Sequence, residues 1–155
     1  MRHSALRNEY QNLSIRLTSE TEISSISQNP KKIKAKSLWD TGAMMTAITP
    51  ETAQSLNLVS YDRKKVKGIK NEITLAGIAR VSIKLPNIPE IKCDVLICSL
   101  VKDIDLLIGM DIIQLGDFSI SNGKGKTLFT FVMPPFEDKT DLYDKAITVN
   151  NSIGI

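Results

Sequence analysis

The sequence predicts an all-β domain with two short helices, and three observations predict it. Ile33, Ala35, Ser37 and Trp39 alternate with Lys32, Lys34 and Lys36, the period of a strand buried on one face. Two further alternating runs, Val81, Ile83, Leu85 and then Ile91, Cys93, Val95, Ile97, flank the turn Pro86-Asn87-Ile88-Pro89. Helical signals are confined to the stretch opening at Thr49-Pro50-Glu51 and to Met110 through Leu115.

Taken in order, residues 1–12 are polar and are expected to lie outside the domain as an N-terminal extension. Ser14 to Leu17, and then Ile23 and Ile26, predict one or two strands, closed by the turn signal Asn29-Pro30. Lys31 to Asp40 is the clearest strand. Its lysines read as a solvated face, whereas its far end is apolar on both faces, so it delivers Asp40 to the interior. Met44 to Ile48 predicts a short strand. Thr49 can then cap a helix with Pro50 at its first position and Glu51 at the positive end of the dipole. Ala53 and Leu56 would pack inward, and Asn57 would stop the helix.

Val59 to Leu85 predicts a long hairpin with its tip around Gly68 to Glu72. Ile91 to Cys98 runs from edge-like to buried, and Leu106-Leu107-Ile108 is the densest apolar run. A short helix over Met110 to Leu115 ends at Gly116. Asp117 to Ile120 and Thr127 to Met133 form a hairpin around Asn122-Gly123. Pro134-Pro135 closes the domain, which is thereby placed over residues 13–135. The C-terminal tail, residues 136–155, carries no assignable element.

Composition narrows the chemistry. The chain has 155 residues, is 42% apolar and carries a net charge of +3, which suits one domain and is too mild to imply a nucleic-acid partner. No apolar run is long enough to span a bilayer, and the charged N-terminal segment lacks the apolar region of a signal peptide. Cys93 and Cys98 would point to opposite faces of one strand and read as free thiols of a reducing compartment. A soluble, cytoplasmic protein is therefore expected, with no membrane partner. The single histidine, His3, lies near a terminus, so no ordered imidazole base is available for a serine or cysteine nucleophile. One His and two Cys cannot close a standard zinc site, and there is no Walker-type phosphate loop. No metal or other cofactor is expected, and acid–base work falls to carboxylates.

One carboxylate stands out. Leu38 and Trp39 lead into Asp40 at a tight turn, Thr41 sets a hydroxyl beside it, and Gly42 permits close backbone approach. Asp40-Thr41-Gly42-Ala43 resembles the active-site turn of aspartic proteases. One copy in a chain this short is similar to the retropepsin-like branch, whose members work as homodimers. Two further landmarks support the resemblance across roughly Ser14 to Met133. Val66-Lys67-Gly68-Ile69 stands where that family has its flap, and Leu107-Ile108-Gly109 matches the apolar-apolar-Gly element that crosses behind the catalytic turn. The continuation Met110-Asp111-Ile112-Ile113 is similar to bacterial and retrotransposon relatives.

The resemblance implies a single-domain closed β-barrel, active as a homodimer. Asp40 would be catalytic, with Thr41, Gly42, Ala43 and Gly109 in support. Met44, Met45, Gly68 and Ile69 would contact a protein or peptide substrate from the cleft and flap. Retroviral relatives place an Asp and an Arg, forming a partly buried ion pair, where this chain has Met44 and Met110. Losing one partner of such a pair would strand a charge at roughly 3–5 kcal/mol, whereas replacing both by apolar residues can be neutral. A more apolar cleft is expected, although plain core positions would explain both methionines equally well. The basic run Arg63 to Lys70 admits two readings: a preference for acidic peptides, or, favoured on sequence, a solvated surface of little consequence.

Two carboxylates sharing one site hold one proton between them. The charged member takes a proton from an attacking water while the neutral one donates to the scissile carbonyl. The resemblance implies that the second carboxylate is Asp40 of another copy, and none of Asp103, Asp105, Asp111 or Asp117 precedes a matching Thr-Gly or Ser-Gly within this chain. Asp111 is expected to start or cap the last helix. The alternative function is a non-catalytic retropepsin-like module for dimerisation or peptide binding. A phosphate-binding Asp-Thr-Gly protein would need glycine-rich phosphate contacts and an alternating α/β layout, which the sequence does not offer.

Overall fold

The computed structural model describes residues 2–67 and 71–154. Among the described residues lie ten strands, three α-helices and a 3-10 turn at Gly123–Gly125. The strands and α-helices are β1 Ser4–Glu9, β2 Thr18–Ser25, β3 Lys32–Trp39, β4 Ala47–Ile48, α1 Pro50–Ser55, β5 Asp62–Lys67, β6 Ile73–Lys84, β7 Ile91–Ile97, β8 Leu106–Ile108, α2 Met110–Ile113, β9 Asp117–Ser121, β10 Leu128–Met133 and α3 Leu142–Ile153.

One sheet runs β2-β3-β8-β4-β7-β6-β5, and an additional β2–β6 pairing closes its first six strands into the barrel that the resemblance implied. The length of β6 makes this closure compatible with a projecting hairpin. Its second half, Val81–Lys84, pairs with β2, while its first half, Ile73–Ile78, pairs with β5. The alternation that predicted β3 also sets its burial. Ala35, Ser37 and Trp39 face the interior, and Lys32, Lys34 and Lys36 face solvent. Ile23, Val81, Ile83 and Val95 fill the barrel from facing strands and are fully buried. Ser37, buried among them, is satisfied by a short hydroxyl–hydroxyl bond to Thr21.

The second sheet, in the order β1-β10-β9, corrects the reading of the N-terminus. Ser4 to Glu9, within the expected extension, pair with Met133 to Leu128 along the whole of β1. Leu6, 3% exposed, enters the core. A single buried leucine in a polar run leaves little pattern, and the ladder partner lies more than 110 residues away. This sheet joins the barrel through an aromatic cluster. The Trp39 ring lies 5.1 Å from Phe129, 4.9 Å from Phe131 and 6.0 Å from Phe118, while its indole N–H donates to Ser19 Oγ at 3.0 Å.

Helix α1 starts as its sequence predicts. Thr49 Oγ1 accepts from Thr52 N–H at 3.1 Å, Pro50 occupies the first turn, and Ala53 and Leu56 are buried. Two local expectations shorten, and the expected stop of α1 at Asn57 holds. The strand expected over Met44 to Ile48 is paired only at Ala47 and Ile48, the helix after Gly109 ends at Ile113, and Asn57 follows the C-cap with φ of 52°. The C-terminal segment, which carried no assignable element, contains α3. Asp141 caps it by accepting from Tyr143 and Asp144 N–H, and none of its residues is buried. Among the described residues no helix is long and apolar enough to cross a membrane.

Candidate active site

The strand order brings the Asp40 turn and the Gly109 segment together. β8 lies between β3, to which it is parallel, and β4, to which it is antiparallel. The turn of residues 40–46 leaves β3, passes over the end of β8 and returns as β4. Three backbone bonds fix the crossing: Asp40 N–H to Ile108 O at 2.9 Å, Met110 N–H to Ala43 O at 2.8 Å, and Asp111 N–H to Met44 O at 3.3 Å.

Gly109 stands where the two segments touch. A Cβ there would lie 2.7 Å from Met45 C, 2.9 Å from Met45 O and 3.0 Å from Ala43 O, all backbone atoms with little freedom to move. The glycine is needed for space: its φ of −92° is open to any residue. Beneath it runs a network that sequence reasoning missed. Gly109 N–H donates to Thr46 Oγ1 at 3.2 Å, Thr46 Oγ1 donates to Asp111 Oδ1 at 2.7 Å, and Thr46 N–H donates to Asp111 Oδ2 at 2.9 Å. Asp111 is thus not the cap of α2, whose N-cap is Gly109. It stands in the first turn of α2, where its Oδ1 accepts from Ile112 N–H at 3.0 Å, and it also clamps the far end of the Asp40 turn through Thr46, which is fully buried. Nothing local signals a pair 65 residues apart.

Asp40 itself is half-buried, and Gly42 N–H donates to its Oδ1 at 2.8 Å. This is the one hydrogen bond the carboxylate accepts among the described residues. The backbone thereby orients one carboxylate oxygen. Thr41 and Gly42 are exposed, which leaves the hydroxyl and the turn backbone free to meet another surface.

A cleft of about 360 Å³ opens beside Asp40. It is lined by Gly42, Ala43, Met44, Met45 and Ala47, by Leu96, Cys98, Leu100 and Leu107, and by Lys64 to Lys67 of β5. The walls are mostly apolar, and Asp40 is the sole acid among them. Met44 is not a core residue: it is 83% exposed at the cleft edge, and Met110 is 36% exposed. Burial pushes the Cys98 thiol up, and Cys93, packed against the barrel core, is pushed up to about 12 by burial and then by the charges of Asp111 and Asp94. Both cysteines are free. Among the described residues no three His, Cys, Asp or Glu side chains gather as a metal cage. Of the expected site residues, Asp40, Gly42, Ala43, Met44 and Met45 share the cleft, with Thr41 on the exposed turn and Gly109 behind it. Gly68 and Ile69 lie outside the described residues, although the β5–β6 hairpin that carries them is present.

The chain is similar to known proteins in sequence and in fold. A family model described as aspartyl protease matches residues 26–112, which contain both the Asp40 turn and Gly109. The fold is similar to that of a retropepsin-like aspartic protease from Rickettsia conorii, with 18% identity, a TM-score of 0.54, and coverage of 86% of this chain and 97% of that one. It also matches EIAV protease in complex with the inhibitor HBY-793, at 23% identity and a TM-score of 0.49, over 66% of this chain and 89% of that one. No curated protein matches.

Proposed function

The chain belongs to the aspartyl protease family, and from that premise we propose that it is an aspartic endopeptidase assembled as a homodimer. Asp40 and its symmetry mate would be the catalytic pair. The observation that carries this reading is a cleft whose single acid is Asp40, set on a turn whose outer residues, Thr41 and Gly42, are exposed. Half of a carboxylate pair is thereby presented at a surface, and a twofold axis through that surface supplies the other half.

The remaining parts follow from chemistry. One carboxylate removes a proton from water as the oxygen attacks the scissile carbonyl, and its partner donates a proton to the carbonyl oxygen. Collapse of the resulting tetrahedral species breaks the C–N bond, with a proton passing to the leaving amine. Thr41 hydroxyls link the two turns across the axis. Gly42 and Ala43 offer backbone to an extended peptide, Gly109 and the Thr46–Asp111 network hold the turn from behind, and Met44 and Met45 form the apolar floor. The hairpin bearing Gly68 and Ile69 closes over the substrate and excludes water. No metal, cofactor, nucleic acid or membrane enters the scheme. The free cysteines support a reducing compartment such as the cytoplasm.

The decisive experiment is cleavage of a mixed peptide library between pH 4 and 7, with and without pepstatin, by the wild-type chain and by Asp40→Asn. Turnover is expected in the wild type, blocked by pepstatin, and absent in a variant that still dimerises by sedimentation. Turnover that survives Asp40→Asn overturns the proposal. A dimer that binds peptides without cutting them would mark a binding module instead.

A further inference from the structure

The β5–β6 hairpin has an inner and an outer face, and its lysines are divided between them. Residues paired in register share a face. Lys64 pairs with Ala76, and Val66 with Thr74. Ala76 is 3% exposed and packs with Ala47 and Leu96, and Val66 packs against the same cluster, so this face looks into the cleft. Lys65 and Lys67 border the same cleft along the strand but pair with Leu75 and Ile73, which are 57% and 68% exposed, so they lie on the face opposite the Ala76 cluster. Lys64 is therefore the inward lysine. Its ammonium lies 3.2 Å from the Met45 sulfur, against the cleft wall that begins at Asp40.

A thioether is a weak acceptor and carries no charge to offset an ammonium. No carboxylate among the described residues pairs with Lys64: the three ion pairs present are Arg7–Glu9, Lys32–Glu22 and Arg80–Asp94. In the open protein water solvates this cation at little cost. A peptide laid between hairpin and floor displaces that water, and the ammonium then faces apolar walls with one acid, Asp40, already engaged in chemistry. An unpaired charge in such a place is costly, and an opposite charge there gains strength from the lowered local dielectric.

We propose that Lys64 is a specificity residue that selects peptides carrying a Glu or Asp next to the apolar residue held in the cleft. This rests on the peptidase reading above and names its substrate class. It also reverses the expectation, drawn from the sequence, that hairpin lysines are neutral for specificity. For the outward Lys65 and Lys67 the proposal keeps that expectation.

The test uses extended decapeptides with two central apolar residues flanked by Glu, by Gln or by Lys. Wild type should cleave the Glu set with kcat/KM about tenfold above the Gln set, the scale of one charge-assisted hydrogen bond. The ratio should shrink as salt is raised. Lys64→Glu should reverse the order so that Lys-flanked peptides lead, and Lys64→Gln should level it. Lys65→Glu, with the same change in net charge on the other face, should keep the wild-type ratio. A Glu/Gln ratio within twofold of one, or equal effects of the two charge reversals, overturns the proposal. Binding of the same peptides, read by fluorescence anisotropy on the wild-type chain and on Asp40→Asn, separates the two failures. If nothing is cleaved but Glu peptides bind about tenfold tighter than Gln peptides, the peptidase reading fails and the role of Lys64 stands. Peptides neither cleaved nor bound overturn both.

Discussion

At the scale of single residues, the site depends on contacts with no slack. Gly109→Ala would push a methyl group to 2.7 Å from the Met45 backbone. It should cost roughly 2–3 kcal/mol of stability, read as a lowered denaturation midpoint, because backbone must shift to admit it. Thr46→Val keeps the shape and removes one acceptor and one donor. Gly109 N–H and Asp111 then lose a partner, and the expected cost is about 1–3 kcal/mol by chemical denaturation. Activity should fall with it, since Asp111 and Thr46 anchor the end of the Asp40 turn. Cys93 supplies a pH signature. Its folded value of about 12 lies above the ordinary thiol value of 9.0, so the folded state holds the proton longer. Stability is unaffected below pH 9 and falls between the two values, where the unfolded chain releases that proton and the folded one retains it. Melting curves should therefore decline more steeply with rising pH in the wild type than in Cys93→Ala across this window.

At the scale of elements, strand β1 and helix α3 make opposite predictions. Leu6 is buried and β1 is paired along its length with β10. Leu6→Ala should cost about 2–4 kcal/mol, the range for a core leucine, whereas a leucine in a loose extension would cost nothing measurable. Helix α3 buries none of its residues. Removal of residues 139–155 should change stability by about 1 kcal/mol or less, checked by thermal denaturation of the shortened chain. The two elements were illegible in the sequence for different reasons. β1 has one buried apolar position and a remote partner. In α3, Leu142, Ala146, Val149 and Ile153 do recur on one face, but Thr148, Asn150, Asn151 and Ser152 are weak helix formers, and the Asp141 cap carries much of the start signal.

At the scale of the whole molecule, the proposed function predicts stoichiometry. A protomer offers one carboxylate to its cleft, so specific activity should rise with concentration until dimers saturate. Mixing wild type with an equal amount of Asp40→Asn, and allowing exchange, should reduce activity per wild-type chain to about half, since half of those chains then sit in mixed dimers. Activity per wild-type chain that does not respond to the mixture would mean that one protomer suffices.

The sequence by itself determined the strand-rich class, the buried face of β3, the capped start of α1 and the Asp40-Thr41-Gly42 turn. Each of these is written within about ten consecutive residues, in periodicity, capping chemistry or motif. Only the tertiary structure decided that β1 belongs to the sheet, that Asp111 reaches Thr46 as well as its own helix, and that Lys64 looks inward while Lys65 does not. These outcomes depend on strand order and register between segments from 12 to more than 100 residues apart. A one-residue change of register inverts which side chains meet the cleft, and hydrophobic alternation is too weak in a basic hairpin such as Arg63 to Lys67 to announce which register holds.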